Sequence, residues 1–102
     1  MTTLPREQAR KLLSNVPAQH TFKCCDGREI RNVRELGKTL AHMADETFGY
    51  HANQSKNDFS RWVKDVIGDD QLARDLGRTC SRKQSLRELS SRIAFLSGLL
   101  AR

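Results

Sequence analysis

Apolar residues recur at helical spacing through most of the chain, with polar residues between them. The segment after Asp58 has the pattern most typical of a helix lying on a hydrophobic core. Its apolar residues are Phe59, Trp62, Val63, Val66 and Ile67. Asn57 or Asp58 can cap the start of this helix, and Gly68 can end it. We therefore expect Trp62 to anchor the core rather than to form a stacking surface for a ligand.

Helical spacing also appears in five other parts of the chain. Most of the predicted helices begin near a short polar side chain that can accept a free backbone N–H group, and some end at a glycine. They are a short first helix ending near Asn15, a helix over 33–44 opened by Asn32, a short turn capped by Asp45, a helix from Asp69 to Gly77, and a C-terminal helix within 81–102. The pattern predicts a mainly helical protein.

A short β-hairpin is predicted between the first two helices. Asp-Gly lies between two extended runs, and Gly27 suits the left-handed position of a three-residue hairpin loop. Pairing Cys24 with Arg28 then places Phe22 opposite Ile30. This register puts Phe22, Cys24 and Ile30 on one face, which we expect to be buried.

The length of 102 residues suits one domain with a single core. The predicted class is therefore mainly α: a small single-domain helical bundle over 1–102 with a short β-hairpin near the N-terminus. Apolar runs are too short to cross a bilayer, and Met1 to Lys11 is too polar for a secretion signal. We expect a cytoplasmic protein without membrane association.

Positive charge is concentrated near the C-terminus. The formal net charge is +6 and the sequence pI is about 9.7. Residues 1–73 carry eleven Lys or Arg against ten Asp or Glu, whereas residues 74–102 carry seven against two. Binding to nucleic acid would therefore depend on this basic segment. The candidate binding residues are Arg74, Arg78, Arg82, Lys83, Arg87 and Arg92.

The middle of the chain contains several spaced motifs in order: "CDGREI", "VRELGKTLAHM", "FGYH", "NDFSRWV", "GD" and "LA". Over about residues 22–76 it resembles a small, uncharacterised prokaryotic domain family. The resemblance implies a shared fold but no activity, because that family has no known function and no established active site. The first helix and the basic segment after Gly77 lie outside the resemblance.

His51 is the best catalytic candidate in the sequence. It could act as a base oriented by Asp58, but no nucleophile or oxyanion-stabilising group accompanies it in the sequence. We therefore favour a structural role, in which His51 packs beside Phe48 and hydrogen-bonds to the start of the helix at Asp58. The predicted structural motif comprises His51, Asn57, Asp58, Phe59, Trp62, Gly68 and Asp69.

The three cysteines are candidate zinc ligands. Cys24, Cys25 and Cys80 are an odd number and are predicted to be reduced thiols. With one histidine they would make four ligands, but adjacent residues of a strand point to opposite faces, and no C-x-x-C motif is present. The Gly-Asp-Asp sequence at Gly68 offers too few oxygen ligands for a metal. We expect neither a metal nor a cofactor, and no enzymatic activity.

Two binding functions remain. One is a protein-interaction or adaptor module with an unknown protein partner, and the other is a nucleic-acid-binding protein that uses the basic C-terminal helix. That helix also carries an apolar seam with spacings of three and four residues, formed by Leu86, Leu89, Ile93, Leu96 and Leu100. We expect the seam to pack on the domain, with a weak homodimer through the C-terminal helix as the alternative, and the arginines to face outward.

Overall fold

The computed structural model describes residues 4–101, which form six α-helices and one two-stranded antiparallel sheet. Residues 1–3 and 102 of the predicted domain lie outside the described residues. The elements are α1 (Arg6–Leu13), β1 (Phe22–Lys23), β2 (Glu29–Ile30), α2 (Val33–His42), α3 (Asp45–His51), α4 (Asp58–Trp62), α5 (Asp70–Gly77) and α6 (Arg82–Leu100). The predicted mainly α fold with a hairpin near the N-terminus is confirmed.

The hairpin has the predicted register. Phe22 pairs with Ile30, and the Cys24 N–H donates to the Arg28 carbonyl at 2.9 Å. Gly27 adopts a φ of 97°, the left-handed conformation that the loop requires. Phe22, Cys24 and Ile30 are all buried, so one face of the hairpin joins the core.

Helix α2 begins at a side-chain cap. The Asn32 carboxamide oxygen accepts the Glu35 N–H at 2.8 Å. The Glu35 carboxylate in turn accepts the Arg31 N–H, one residue earlier than in a capping box. The apolar stripe of this helix is buried at Val33, Leu36, Leu40 and Met43. Ala44, the last residue of the helix predicted over 33–44, is exposed because α2 ends at His42.

The prediction that Asp45 caps the next helix is wrong. Ala44 occupies the cap position, and Asp45 is the first residue of α3. Since the helical backbone starts one residue earlier than predicted, the Asp45 carboxylate is free to accept a hydrogen bond from Arg82 of α6 at 3.0 Å.

The helix predicted over Asp58–Ile67 changes its geometry midway. Asn57 caps it by accepting the Ser60 N–H at 3.0 Å, but α4 ends at Trp62 and Val63–Ile67 form a wider π-helical turn. The Gly68 N–H closes this turn on the Val63 carbonyl at 2.8 Å. Gly68 has a φ of 87° and ends the segment as predicted.

Helix α6 packs along α1, α2 and α5. Its fully buried residues are Leu89 and Leu96, so the predicted packing of the seam on the domain is confirmed. The buried line is rotated from the predicted one, because Leu99 is buried whereas Leu86, Ile93 and Leu100 are only half-buried. The Phe59–Ile67 segment is not among its main neighbours.

The chain packs around one hydrophobic core and has a radius of gyration of 13.1 Å. That value agrees with about 13 Å for a compact chain of about 100 residues. Within residues 4–101, no helix combines the length and the apolar character needed to cross a membrane.

Candidate functional site

Aromatic residues from β1, α3 and α4 enclose His51. The ring centroids of Phe22 and Phe59 lie 5.1 and 5.4 Å from the imidazole, and His51 is only 4% exposed. Trp62 extends the cluster and is buried as predicted. Its indole N–H donates to the His20 carbonyl at 2.8 Å. The apolar part of the Trp62 ring is therefore packed in the aromatic cluster, and its polar N–H group is hydrogen-bonded.

Both ring nitrogens of His51 have hydrogen-bond partners. The Cys25 backbone N–H donates to Nε2 at 3.0 Å, so in the neutral ring the proton resides on Nδ1. Nδ1 in turn donates to Asp58 Oδ2 at 2.9 Å. The hydrogen bond predicted from His51 to the start of α4 is present. Its geometry orients the imidazole with Nε2 towards the hairpin loop.

Asp58 is held ionised by its neighbours. Burial raises the pKa of its carboxyl, but hydrogen bonds from His51 and Lys56 outweigh burial and bring the pKa below its usual value. The Lys56 ammonium lies 2.9 Å from Asp58 Oδ2. The acceptor for the His51 proton is therefore a carboxylate.

Two cysteines converge on His51. The sulfur atoms of Cys24 and Cys25 and one ring nitrogen of His51 all lie within 4.8 Å of one another. The prediction that Cys24 and Cys25 point to opposite faces of a strand is wrong, because β1 ends at Lys23 and Cys25 lies in the turn. Cys24 is buried and Cys25 is exposed. Burial is the main cause that raises the pKa of the Cys24 thiol. The third free cysteine, Cys80, lies in the connection between α5 and α6.

Two of the six predicted basic binding residues form hydrogen bonds to other residues of the fold. Arg92 forms two hydrogen bonds with Asp69, at 2.8 and 2.9 Å, and Asp69 is 2% exposed. Arg82 contacts Asp45 and also donates to the Leu40 carbonyl at 2.8 Å. The prediction that the arginines of the C-terminal helix all face outward is wrong for Arg92, because that side chain pairs with the buried carboxylate that caps α5.

The other four predicted basic residues are exposed: Arg74, Arg78, Lys83 and Arg87. Arg78 and Arg87 border a surface depression together with the carboxylates of Asp75 and Glu88. A second depression, of about 410 Å³, is lined by Lys64 together with the exposed Arg74 and Arg78. Basic and acidic groups are therefore mixed on this face.

A groove between α2 and α6 was missed by the sequence reasoning. It has a volume of about 550 Å³ and a mainly apolar floor formed by Gly37, Ala41, Leu86, Ile93 and Ala94. Arg34, Lys38 and His42 line one wall, and no carboxylate borders the groove among the described residues. The sequence does contain a signal for the basic wall, because these three basic residues are spaced four apart and so share one face of α2.

No protein-family model, curated protein or solved structure matches the chain. The resemblance to an uncharacterised prokaryotic family over about residues 22–76 stays a prediction.

Proposed function

We propose that the protein is a non-enzymatic interaction module that binds an acidic amphipathic helix of a partner protein in the groove between α2 and α6. The observation that supports this proposal is the combination, in one groove, of an apolar floor and a positively charged wall. Amphipathic helices bind such grooves through apolar residues spaced three and four apart.

The positive charge of the groove determines which class of partner is complementary to it. Arg34 and Lys38 are exposed and lie on the same wall. The Arg34 guanidinium is held over α6 by a hydrogen bond of 2.8 Å to the uncharged Ser97 hydroxyl. Its positive charge therefore remains available to a partner carboxylate, and a helix with acidic residues beside its apolar stripe is complementary.

The interior of the domain favours binding over catalysis. The His51–Asp58 pair, the best catalytic candidate in the sequence, lies among aromatic rings, and both imidazole nitrogens are hydrogen-bonded. We also propose a cytoplasmic location, because three free thiols are typical of a reducing compartment.

The test uses a designed, fluorescently labelled peptide with a leucine stripe flanked by glutamates, and anisotropy as the readout. The informative variant is Ala94→Glu, because Ala94 is an exposed residue of the groove. We expect Kd to rise at least about tenfold, since a glutamate there adds bulk and repels the peptide. Ser91→Glu is the matched control: it makes the same charge change at an exposed position of the same helix outside the groove.

Equal loss of binding in Ala94→Glu and Ser91→Glu would refute the proposed location. Equal binding of a peptide with lysines in place of the glutamates would refute the proposed partner chemistry. A concentration-dependent dimer that Ala94→Glu abolishes, with no peptide binding, would identify a second copy of the chain as the occupant instead.

Nucleic acid binding is the second candidate, because the exposed Arg74 and Arg78 adjoin Lys64. It is less well supported, since Arg82 and Arg92 are paired internally and carboxylates border the same face. The distinguishing measurement is duplex binding at several salt concentrations. Nucleic acid binding requires a steep loss of affinity with salt and a further loss in Arg74→Glu, whereas Lys38→Glu would leave it nearly unchanged.

A further inference from the structure

We propose that Cys24, Cys25 and His51 form a binding site for a thiophilic divalent cation, Zn²⁺, and that Asp58 orients the imidazole for it. The hairpin loop and the end of α3 bring these three side chains together, and none of them lines the α2–α6 groove.

The donor atoms are close to the spacing that zinc requires. Zn–S bonds of about 2.3 Å and Zn–N bonds of about 2.0 Å in a tetrahedral site place neighbouring donor atoms about 3.5 to 3.8 Å apart. The two sulfurs and one ring nitrogen already lie within 4.8 Å of one another. Closing the site therefore shortens any of these separations by about 1.3 Å at most, and Cys25 lies in an exposed turn that can supply the movement.

Asp58 provides the second observation. A histidine that binds a metal usually donates its other ring N–H to a carboxylate or a carbonyl, which fixes the tautomer and the direction of the ligating nitrogen. His51 has this arrangement, because Nδ1 lies 2.9 Å from Asp58 Oδ2. Nε2 is thereby left without a proton and faces Cys25, whose N–H it accepts.

Charge balance suits the location. Two thiolates and one Zn²⁺ sum to zero, so the occupied site adds no net charge beside the rings of Phe22 and Phe59. On binding, the two thiols release their protons to solvent, and two Zn–S bonds and one Zn–N bond replace bonds from the aqueous ion to water molecules, which return to solvent. No group changes oxidation state. Cys25 is exposed, so the fourth coordination position faces solvent and takes a water.

One existing contact has to change. The Cys25 N–H now occupies the lone pair of His51 Nε2 at 3.0 Å, and the metal would replace it there. Cys25 is exposed, so its freed N–H can turn to water. The metal would then connect the hairpin loop directly to the end of α3, where Cys25 and His51, 26 residues apart in sequence, are now joined by this hydrogen bond.

The experiment is a titration of the reduced, metal-free full chain with Co²⁺, a spectroscopic probe that takes the same ligands. We expect thiolate-to-cobalt charge-transfer absorption and visible bands of tetrahedral intensity that saturate at one equivalent and disappear when Zn²⁺ is added. Cys25→Ser is the informative variant because Cys25 is exposed and its loss leaves the core intact. It should weaken binding by more than about 100-fold, since it removes a direct ligand.

Two further variants separate the site from nonspecific thiol binding. Cys80→Ser removes the other exposed cysteine and should leave the titration unchanged. Asp58→Asn should weaken Co²⁺ binding about 10- to 100-fold while far-ultraviolet circular dichroism shows that the helices are retained.

Three results would overturn the site. The first is the absence of thiolate-to-cobalt absorption in the wild-type chain. The second is absorption that survives Cys25→Ser and is lost in Cys80→Ser. The third is saturation at half an equivalent with a doubled mass in sedimentation, which would mean that two chains share the metal.

Discussion

Trp62 illustrates how one side chain joins separate parts of the core. It is 7% exposed, and its ring meets Phe22 of the hairpin edge-on with 5.9 Å between the centroids. Its indole N–H is bonded to His20, which precedes the hairpin. A single residue of α4 therefore holds a loop and a strand that lie about forty positions earlier in the chain.

Replacing Trp62 with alanine should lower the free energy of unfolding by about 3 to 5 kcal/mol, because the change removes a large buried ring and leaves a cavity. Urea denaturation followed by circular dichroism measures this loss. Tyr50→Ala is the control, because Tyr50 is 60% exposed and its replacement should cost less than about 1 kcal/mol. If Trp62→Ala unfolds at the wild-type urea concentration, the ring is exposed in solution and is again a candidate ligand platform.

The contact between α5 and α6 depends on a buried ion pair. Asp69 both caps α5, by accepting the Leu72 N–H at 3.1 Å, and accepts two hydrogen bonds from Arg92. The Arg92 side chain is 15% exposed and that of Asp69 is 2% exposed. Removing one partner would therefore leave the other charge buried without compensation.

We expect Arg92→Met to lower the free energy of unfolding by about 3 to 5 kcal/mol. The double variant Asp69→Asn/Arg92→Met should recover part of this loss, because asparagine keeps the helix cap and no unpaired charge remains. Chemical denaturation of both variants, with the exposed Arg87→Ala as a control, measures the difference. A double variant as unstable as Arg92→Met, or more so, would contradict this account of the ion pair.

Helix α2 begins with a pH-sensitive contact. Hydrogen bonds from the Arg31 guanidinium and from its backbone N–H lower the pKa of the Glu35 carboxyl. A carboxyl whose pKa is lowered by folding stabilises the fold above its unfolded pKa, and this contribution is lost as the pH falls through the folded pKa.

Glu35→Gln should therefore be less stable than the wild type at neutral pH, by less than about 1 kcal/mol because the pair is near the surface. The difference should begin to shrink as the pH falls below the unfolded pKa of about 4.3, and it should be lost as the pH falls through the lower pKa of the folded carboxyl. Thermal unfolding of both proteins across this pH range tests the expectation. A stability difference that does not shrink as the pH falls below the unfolded pKa of about 4.3 would contradict it.

Helix α6, the last helix of the described chain, packs against the first helix, α1. Leu89 and Leu96 are fully buried, and the Arg6 guanidinium of α1 donates to the Leu100 carbonyl at 3.0 Å. Helix α6 also packs on α2 and α5, so it contacts most of the core.

Deletion of residues 84–102 should unfold the protein. Burial of a leucine contributes roughly 1.5 to 3 kcal/mol, and losing several of them approaches the stability of about 5 to 15 kcal/mol of a typical domain. Circular dichroism and sedimentation of the truncated chain check this. A folded fragment with unchanged subunit number would show that α6 is dispensable for the core, and a folded monomer from a dimeric parent would place α6 at an interface.

The local features of the fold could be predicted from the sequence. The hairpin register followed from Gly27 and from the alternation around it, and the caps at Asn32 and Asp69 were identified correctly. Asn57 was one of two candidates for the cap of α4, and the cap predicted at Asp45 was wrong. Each of these features depends on residues within about four positions of one another, where the backbone geometry leaves few alternatives. The same holds for Gly68, whose left-handed conformation ends the segment after α4.

Contacts between distant residues were decided by the tertiary structure. Spacing alone could not show that α6 is rotated so that Arg92 meets Asp69, because a helical pattern defines an apolar face but neither its partner nor its exact angle. The convergence of Cys24, Cys25 and His51 was missed for a related reason. Strand alternation ceases to apply once the chain turns, and the direction of Cys25 is then determined by its hydrogen bond to a histidine 26 residues away, a contact that exists only after α3 has packed on the hairpin.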